Sequence, residues 1–196
     1  MKPETALKYI NSAMSLRAPQ YKSLELFANY LQSPVGQKLL ERMNNDNRNN
    51  TSEILNQSIE YFSAIHEARE FENFERAFPA YTFALATGVG KTRLMGAFVV
   101  YLYLVYNVQH FLIVAPNLTI YRKLFDDFSK ANNPKYVFKG IQEVNTNTVR
   151  IITTDNYANY RQQTIYGNQI EINIFNVQQF AQKDMESERG ITKAWE

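Results

Sequence analysis

Gly88, Gly90, Lys91 and Thr92 stand in the run Ala86-Thr87-Gly88-Val89-Gly90-Lys91-Thr92, and their types and spacing suit one chemistry, the holding of a polyphosphate. Glycines let the backbone turn tightly, so that successive N–H groups point at phosphate oxygens. A lysine at position 91 can reach the β- and γ-phosphates as a mobile charge. The Thr92 hydroxyl can complete the coordination of a Mg²⁺ that bridges the same phosphates. The expected contacts to a nucleoside triphosphate are therefore Thr87, Gly88, Val89, Gly90, Lys91 and Thr92, with Lys91 the catalytic charge and Thr92 the metal ligand. The plain alternative is a glycine turn between a strand and a helix, without ligand.

Such a loop works only if flanking elements hold it. Tyr81-Thr82-Phe83-Ala84-Leu85 is β-branched and aromatic, as a buried strand would be. Arg93 to Tyr106 has good helix formers and no proline. A helix starting at the loop aims its positive N-terminal end at the nucleotide. Beyond it, His110-Phe111-Leu112-Ile113-Val114-Ala115 is a continuous apolar run, the pattern of a parallel strand covered on both faces. Asn117 to Ala131 reads as an amphipathic helix with Asn117 or Thr119 as its cap. Val149 to Thr153 and Glu171 to Phe175 read as two further strands, and Val177 to Lys183 opens a helix. This alternation predicts an α/β fold with a parallel sheet, whose ligands sit at the C-terminal strand ends. The glycine loop, Pro116-Asn117 and Asp155-Asn156 are all expected there.

The front of the chain has a different period. Glu4 to Met14, Pro19 to Gln32 and Pro34 to Met43 place apolar residues three and four apart, and Pro19 and Pro34 stand where helices begin. Ser52 to Ala68 is a fourth helix. Asn44 to Asn50 is a polar loop, and Arg69 to Pro79 a connector in which aromatic and charged residues alternate. The expected domains are a helical segment over 1–79 and the sheet domain over 80–196.

Composition sets the outer limits. A chain of 196 residues with 45% hydrophobic and 14% aromatic content can bury a core of its own. No cysteine is present, which excludes disulfides and thiolate metal sites and suits a reducing cytoplasm. The start lacks the apolar run of a signal peptide. The most apolar stretch, Leu94 to Tyr106, is shorter than the ~20 residues a membrane span needs. A net charge of +2 does not by itself mark a nucleic-acid binder.

Hydrolysis needs more than a cradle. A second strand should end in an aspartate that holds Mg²⁺, often followed by a glutamate that orients water. No apolar strand here ends in two acids. The nearest candidate, Asp155, follows a half-polar strand and precedes Asn156, and a loop aspartate is the preferred reading. His66 and His110 have no partner at ligand spacing and are read as structural. Glu67, Glu70, Glu72 and Glu75 are read as a solvated face.

Leu85-Ala86-Thr87-Gly88-Val89-Gly90-Lys91-Thr92 resembles the first motif of superfamily 2 helicases, in the form found in type III restriction enzyme Res subunits and their DEAD/DEAH-box relatives. That branch carries an apolar residue where Leu85 stands. Phe111 to Thr119 is similar to the strand and loop of motif Ia. Tyr136 to Gly140 and Ile151 to Tyr157 are similar to segments of the restriction-like branch, and Ile172 to Asn176 resembles the strand preceding the DEAH motif. The resemblance spans about residues 80–180 and implies a partial RecA-like, P-loop NTPase sheet. It implies the first ATP-binding domain of a DNA-dependent ATPase, a helicase or translocase of restriction–modification type, using ATP and Mg²⁺. Implied partners are DNA, duplex or single strand, and a methyltransferase or specificity subunit. Motif Ia maps onto Pro116, Asn117, Leu118 and Thr119 as contacts to a sugar-phosphate backbone. Arg122, Lys123, Lys130, Lys135 and Lys139 add charge along that edge, or form an ordinary solvated face.

The departures are as informative. The DEAH motif, motif III, the second RecA-like domain and an endonuclease domain are missing, so the chain reads as an N-terminal fragment, inactive or nearly so alone. No glutamine lies between Gln57 and Gln109 to read adenine, and Gln57 is a weak candidate. Phe71 or Phe74 could stack on adenine, with core packing the preferred role. Two other readings stay open: a self-contained phosphate-loop kinase or NTPase that needs Asp155 for Mg²⁺, and a non-catalytic module whose helical front binds a partner subunit.

Overall fold

A computed structural model describes residues 1–44, 51–65, 80–160 and 169–178. Seven helices and three strands run through them: α1 (Pro3–Met14), α2 (Ala18–Gln32), α3 (Pro34–Asn44), α4 (Thr51–Ser63), α5 (Lys91–Tyr106), β1 (His110–Ala115), α6 (Leu118–Ser129), β2 (Val149–Ile152), α7 (Tyr157–Tyr160) and β3 (Ile170–Asn176). The expectations for Asn45 to Asn50, His66 to Pro79 (with the four glutamates, Phe71 and Phe74) and the helix past Gln178 lie outside the described residues. Contacts divide the chain into two compact units. One comprises Met1–Leu16 with Gly90–Glu196, the other Arg17–Val89.

In the first unit the strands form a parallel sheet in the order β1-β3-β2. Ala115 stands beside Asn176 and Ile152 beside Asn173. β3 is central, and Ile170, Ile172, Ile174 and Phe175 are fully buried, as befits a strand with neighbours on both sides. The apolar run of β1 was expected to be covered on both faces, and it is not. Leu112 is 51% and Val114 44% exposed, while Ile113 and Ala115 are buried. Among the described residues β1 pairs with β3 alone and stands at the edge of the three-stranded sheet.

α6 packs on the sheet and touches α5. α5 is apolar around much of its circumference because it also packs against α1. α1 presents the buried stripe Ala6, Leu7, Ile10 and Met14. Gly96 lets α5 approach the loop after α6: a Cβ there would lie 2.8 Å from the Val137 Cβ. Val137 N–H donates to the Asp127 carbonyl at 2.9 Å, and Phe138 meets the rings of Phe128 and Tyr136. Gly140, at φ +93°, brings its backbone against α1, where a Cβ would come within 2.4 Å of the Ala13 carbonyl oxygen.

The second unit is built on aromatic rings. Tyr30 of α2 is fully buried and meets Tyr61 and Phe62 of α4, with its hydroxyl 2.9 Å from that of Ser58. Tyr81 joins this cluster at 5.1 Å from both Tyr30 and Phe62, and Phe83 meets Phe27 edge-on. Here a sequence expectation fails. Residues Tyr81 to Leu85 alternate half-buried and exposed as a strand would, yet they join no ladder among the described residues. Their rings are satisfied by helices, so the alternation marks a helix-facing segment. Within the first unit the α1 stripe packs on α5, and within the second Tyr81 and Phe83 pack on the helices.

Candidate nucleotide-binding site

The glycine loop begins as a turn. Val89 N–H reaches the Ala86 carbonyl at 3.4 Å, with Gly88 in the third position at φ +83°, the conformation that a type II turn demands of that residue. A Cβ on Gly88 would meet nothing within 4 Å, so backbone conformation, not crowding, calls for glycine. Thr87 and Gly88 are exposed and Val89 is half-buried. These residues lie in the second unit, and the first unit resumes at Gly90.

Gly90 is again left-handed, at φ +94°, and serves as N-cap of α5 with no side-chain cap. Leu94 N–H makes the first helical bond, to the Gly90 carbonyl at 3.2 Å. The N–H groups of Lys91, Thr92 and Arg93 therefore have no acceptor within the helix, and they carry the positive end of its dipole. With an exposed Lys91 and a half-buried Thr92 hydroxyl beside them, these groups fit a phosphate and its Mg²⁺.

Two arginines make long-range bonds, one within each unit. Arg17 Nη1 donates to the Gly88 carbonyl at 2.7 Å, while the Arg17 N–H donates to Gln20 Oε1 at 2.7 Å. Arg93 Nη1 donates to the Met14 carbonyl at 2.6 Å. Sequence reasoning assigned neither arginine a role, because each bond joins positions far apart in the chain and leaves no local pattern.

At the end of β1, Pro116, Asn117, Leu118 and Thr119 are all exposed. Asn117, and not Thr119, caps α6: its Oδ1 accepts from Ile120 N–H at 2.9 Å. Arg122, Lys123, Lys135 and Lys139 are exposed, whereas Lys130 pairs with Asp126 at 2.6 Å. Tyr121, one turn into α6, places its hydroxyl against Thr153 and Thr154 with Asp155 close by. Burial pushes its pKa up, and the Asp155 charge adds to this while the threonine hydrogen bonds oppose it. Asn156 folds back on its own strand end, accepting from Thr153 N–H at 2.8 Å and donating to the Ile151 carbonyl at 3.1 Å. Asp155 is exposed, and no group of three or more His, Cys, Asp or Glu able to hold a metal stands among the described residues. His110 is exposed and sits 3.7 Å from Glu171, and Gln57 lies on the surface of α4 between Lys38 and Glu53.

No helix among the described residues is long and apolar enough to cross a membrane. Comparison with curated proteins and with solved structures gives no match. The family model described as type III restriction enzyme, res subunit, matches residues 14–194 and so takes in α2 to α4, which the resemblance read from the motifs had left out. The chain therefore belongs to the type III restriction enzyme Res-subunit family and carries its superfamily 2 helicase-like, ATP-binding module of the P-loop kind.

Proposed function

We propose that this chain binds ATP–Mg²⁺ through Thr87 to Thr92 as the nucleotide-binding part of a DNA-dependent ATPase, a translocase or helicase of a restriction–modification enzyme. The observation that carries this reading is the opening of α5, where two left-handed glycines lead into three N–H groups without helical acceptors beside Lys91 and Thr92. In this reading Lys91 neutralises the terminal phosphates and Thr92 helps hold Mg²⁺, which when bound supplies charge stabilisation to the phosphoryl group. Pro116, Asn117, Leu118 and Thr119 meet a DNA backbone, supported by their exposure and by the helix N-terminus at Leu118. A methyltransferase or specificity subunit completes the assembly, and a cysteine-free chain suits the reducing cytoplasm. No apolar strand in the sequence ends in two acids, so the chain by itself is expected to bind ATP far better than it hydrolyses it.

The test is titration of a fluorescent ATP analogue with Mg²⁺, followed by Lys91→Ala. A loss of affinity of roughly tenfold or more is expected for the variant. Equal binding by both proteins would sink the nucleotide reading.

A further inference from the structure

We infer that α1 is a strap whose docking on α5 is coupled to occupancy of the first turn of that helix, with Arg93 as the residue that joins the two. The inference rests on the nucleotide reading above. The family match begins at Met14, the last residue of α1, so the strap stands before the matched module. α1 runs antiparallel to α5. The Met1 ammonium donates to the Leu104 carbonyl at 2.7 Å in the last turn of α5, and the Met14 carbonyl accepts from Arg93 in its first turn. A further contact ties α1 to the chain after α6: the Tyr9 hydroxyl donates to Glu143 Oε2 at 2.6 Å and accepts from Gln142 N–H at 3.1 Å.

Arg93 takes part in both events. Its backbone N–H is one of the three at the start of α5 without a helical acceptor, and its guanidinium holds α1. Helix ends open more readily than helix centres, and Gly90 gives this one no side-chain cap. Ordering the turn costs conformational entropy. Where α1 already holds Arg93, a ligand that needs the turn formed meets less of that cost, and a bound ligand in turn disfavours release of α1. The charges act in the same direction. Antiparallel packing sets the negative C-terminal end of α1 beside the positive start of α5, and the guanidinium on the Met14 carbonyl offsets charge that would repel a phosphate.

The experiment follows amide hydrogen exchange in the full chain, with and without a saturating non-hydrolysable ATP analogue and Mg²⁺, in wild type, Arg93→Met and Lys91→Ala. In wild type the nucleotide is expected to slow exchange of the α1 amides roughly tenfold beyond any slowing in α6. In Arg93→Met, which still binds nucleotide, that excess is expected to vanish. An arginine that served stability alone would change the exchange of α1 equally with and without nucleotide. Equal slowing of α1 and α6 in wild type, alongside weak binding by Lys91→Ala, overturns the coupling and leaves the nucleotide reading standing. An undiminished excess in Arg93→Met also overturns it, since α1 would then respond without the arginine. Wild-type binding by Lys91→Ala removes the nucleotide reading and the coupling with it. Should Arg93→Met fail to fold, Arg93→Gln decides: a reduced excess supports the coupling, and an undiminished one overturns it.

Discussion

Arg93 Nη1 donates to the Met14 carbonyl at 2.6 Å, joining the first turn of α5 to the last residue of α1. The carbonyls at a helix C-terminus lack helical partners, and a cation there satisfies one while opposing the dipole. Ser15 ends the helix in a left-handed conformation and returns its N–H to Asn11 and Ser12, so the arginine completes the cap from outside. Arg93→Met keeps most of the aliphatic stem and removes the donor. It is expected to destabilise the fold by about 1–2 kcal/mol, read as a shift in the denaturant midpoint at unchanged m-value.

Two glycines of the first unit owe their identity to close packing, and each makes a prediction. Gly96→Ala gains about 1 kcal/mol of helix propensity but sets a methyl 2.8 Å from the Val137 Cβ. Val137 must move, and overpacking of ~1–3 kcal/mol outweighs the gain. Gly140→Ala is worse, since it adds strain at φ +93° to a backbone oxygen only 2.4 Å away. Thermal unfolding should rank the melting temperatures wild type, then Gly96→Ala, then Gly140→Ala. A Gly140→Ala protein as stable as wild type would refute the close approach.

Asn117 offers a way to separate helix capping from nucleic-acid contact. Its Oδ1 caps α6 through Ile120 N–H. Asn117→Asp keeps an oxygen for the cap and adds a negative charge, whereas Asn117→Ala removes the cap at about 1 kcal/mol. If the segment faces a DNA backbone, Asn117→Asp should retain wild-type stability and lose DNA affinity, with a shallower salt dependence in an electrophoretic or anisotropy titration. DNA affinity unchanged in Asn117→Asp would assign the residue to capping alone.

Alkaline pH should weaken the fold through its tyrosines. Tyr81 has its pKa pushed far above the ordinary value of 10.0, by burial first and then by its interaction with Tyr30, with Ser58 acting the other way. Tyr61 and Tyr136 are raised by burial as well. A raised folded pKa means that the folded state holds a proton the unfolded state has released. The resulting stability is complete below about pH 10, where unfolded tyrosines begin to ionise, and is lost as pH climbs above it. Denaturation midpoints followed from neutral pH past about 10 should fall, with tyrosinate absorbance appearing together with unfolding. Tyr81→Phe should flatten that fall.

What could be read from the sequence followed from local chemistry. β1 runs from His110 to Ala115 as its apolar run indicated, because Pro116 stops the ladder where the run ends. α2 and α3 start at proline-marked positions, and the tight turning expected of the glycines is met by left-handed backbone at Gly88 and Gly90. Non-local contacts were not legible. Tyr81 to Leu85 has the composition of a strand, and whether such a segment pairs with strands or packs on helices depends on the rings of Tyr30, Phe62 and Phe27 far away in the chain. The same holds for Arg17 on Gly88 and for Tyr121 beside Thr153, since neither position is marked by its neighbours.

The central place of β3 also dictates when this sheet can exist. Among the described residues β1 and β2 do not pair with each other, and each finds its ladder on Ile170–Asn176, the last of the three strands to be synthesised. A nascent chain therefore carries two strands with unsatisfied backbone groups, one of them with exposed Leu112 and Val114, until the ribosome has delivered β3. Helices α1, α5 and α6 can meet earlier, so sheet assembly, with its high contact order, is the late and aggregation-exposed stage of folding. A charged residue at Leu112 or Val114, both on the open face, would guard that stage with little effect on the finished fold.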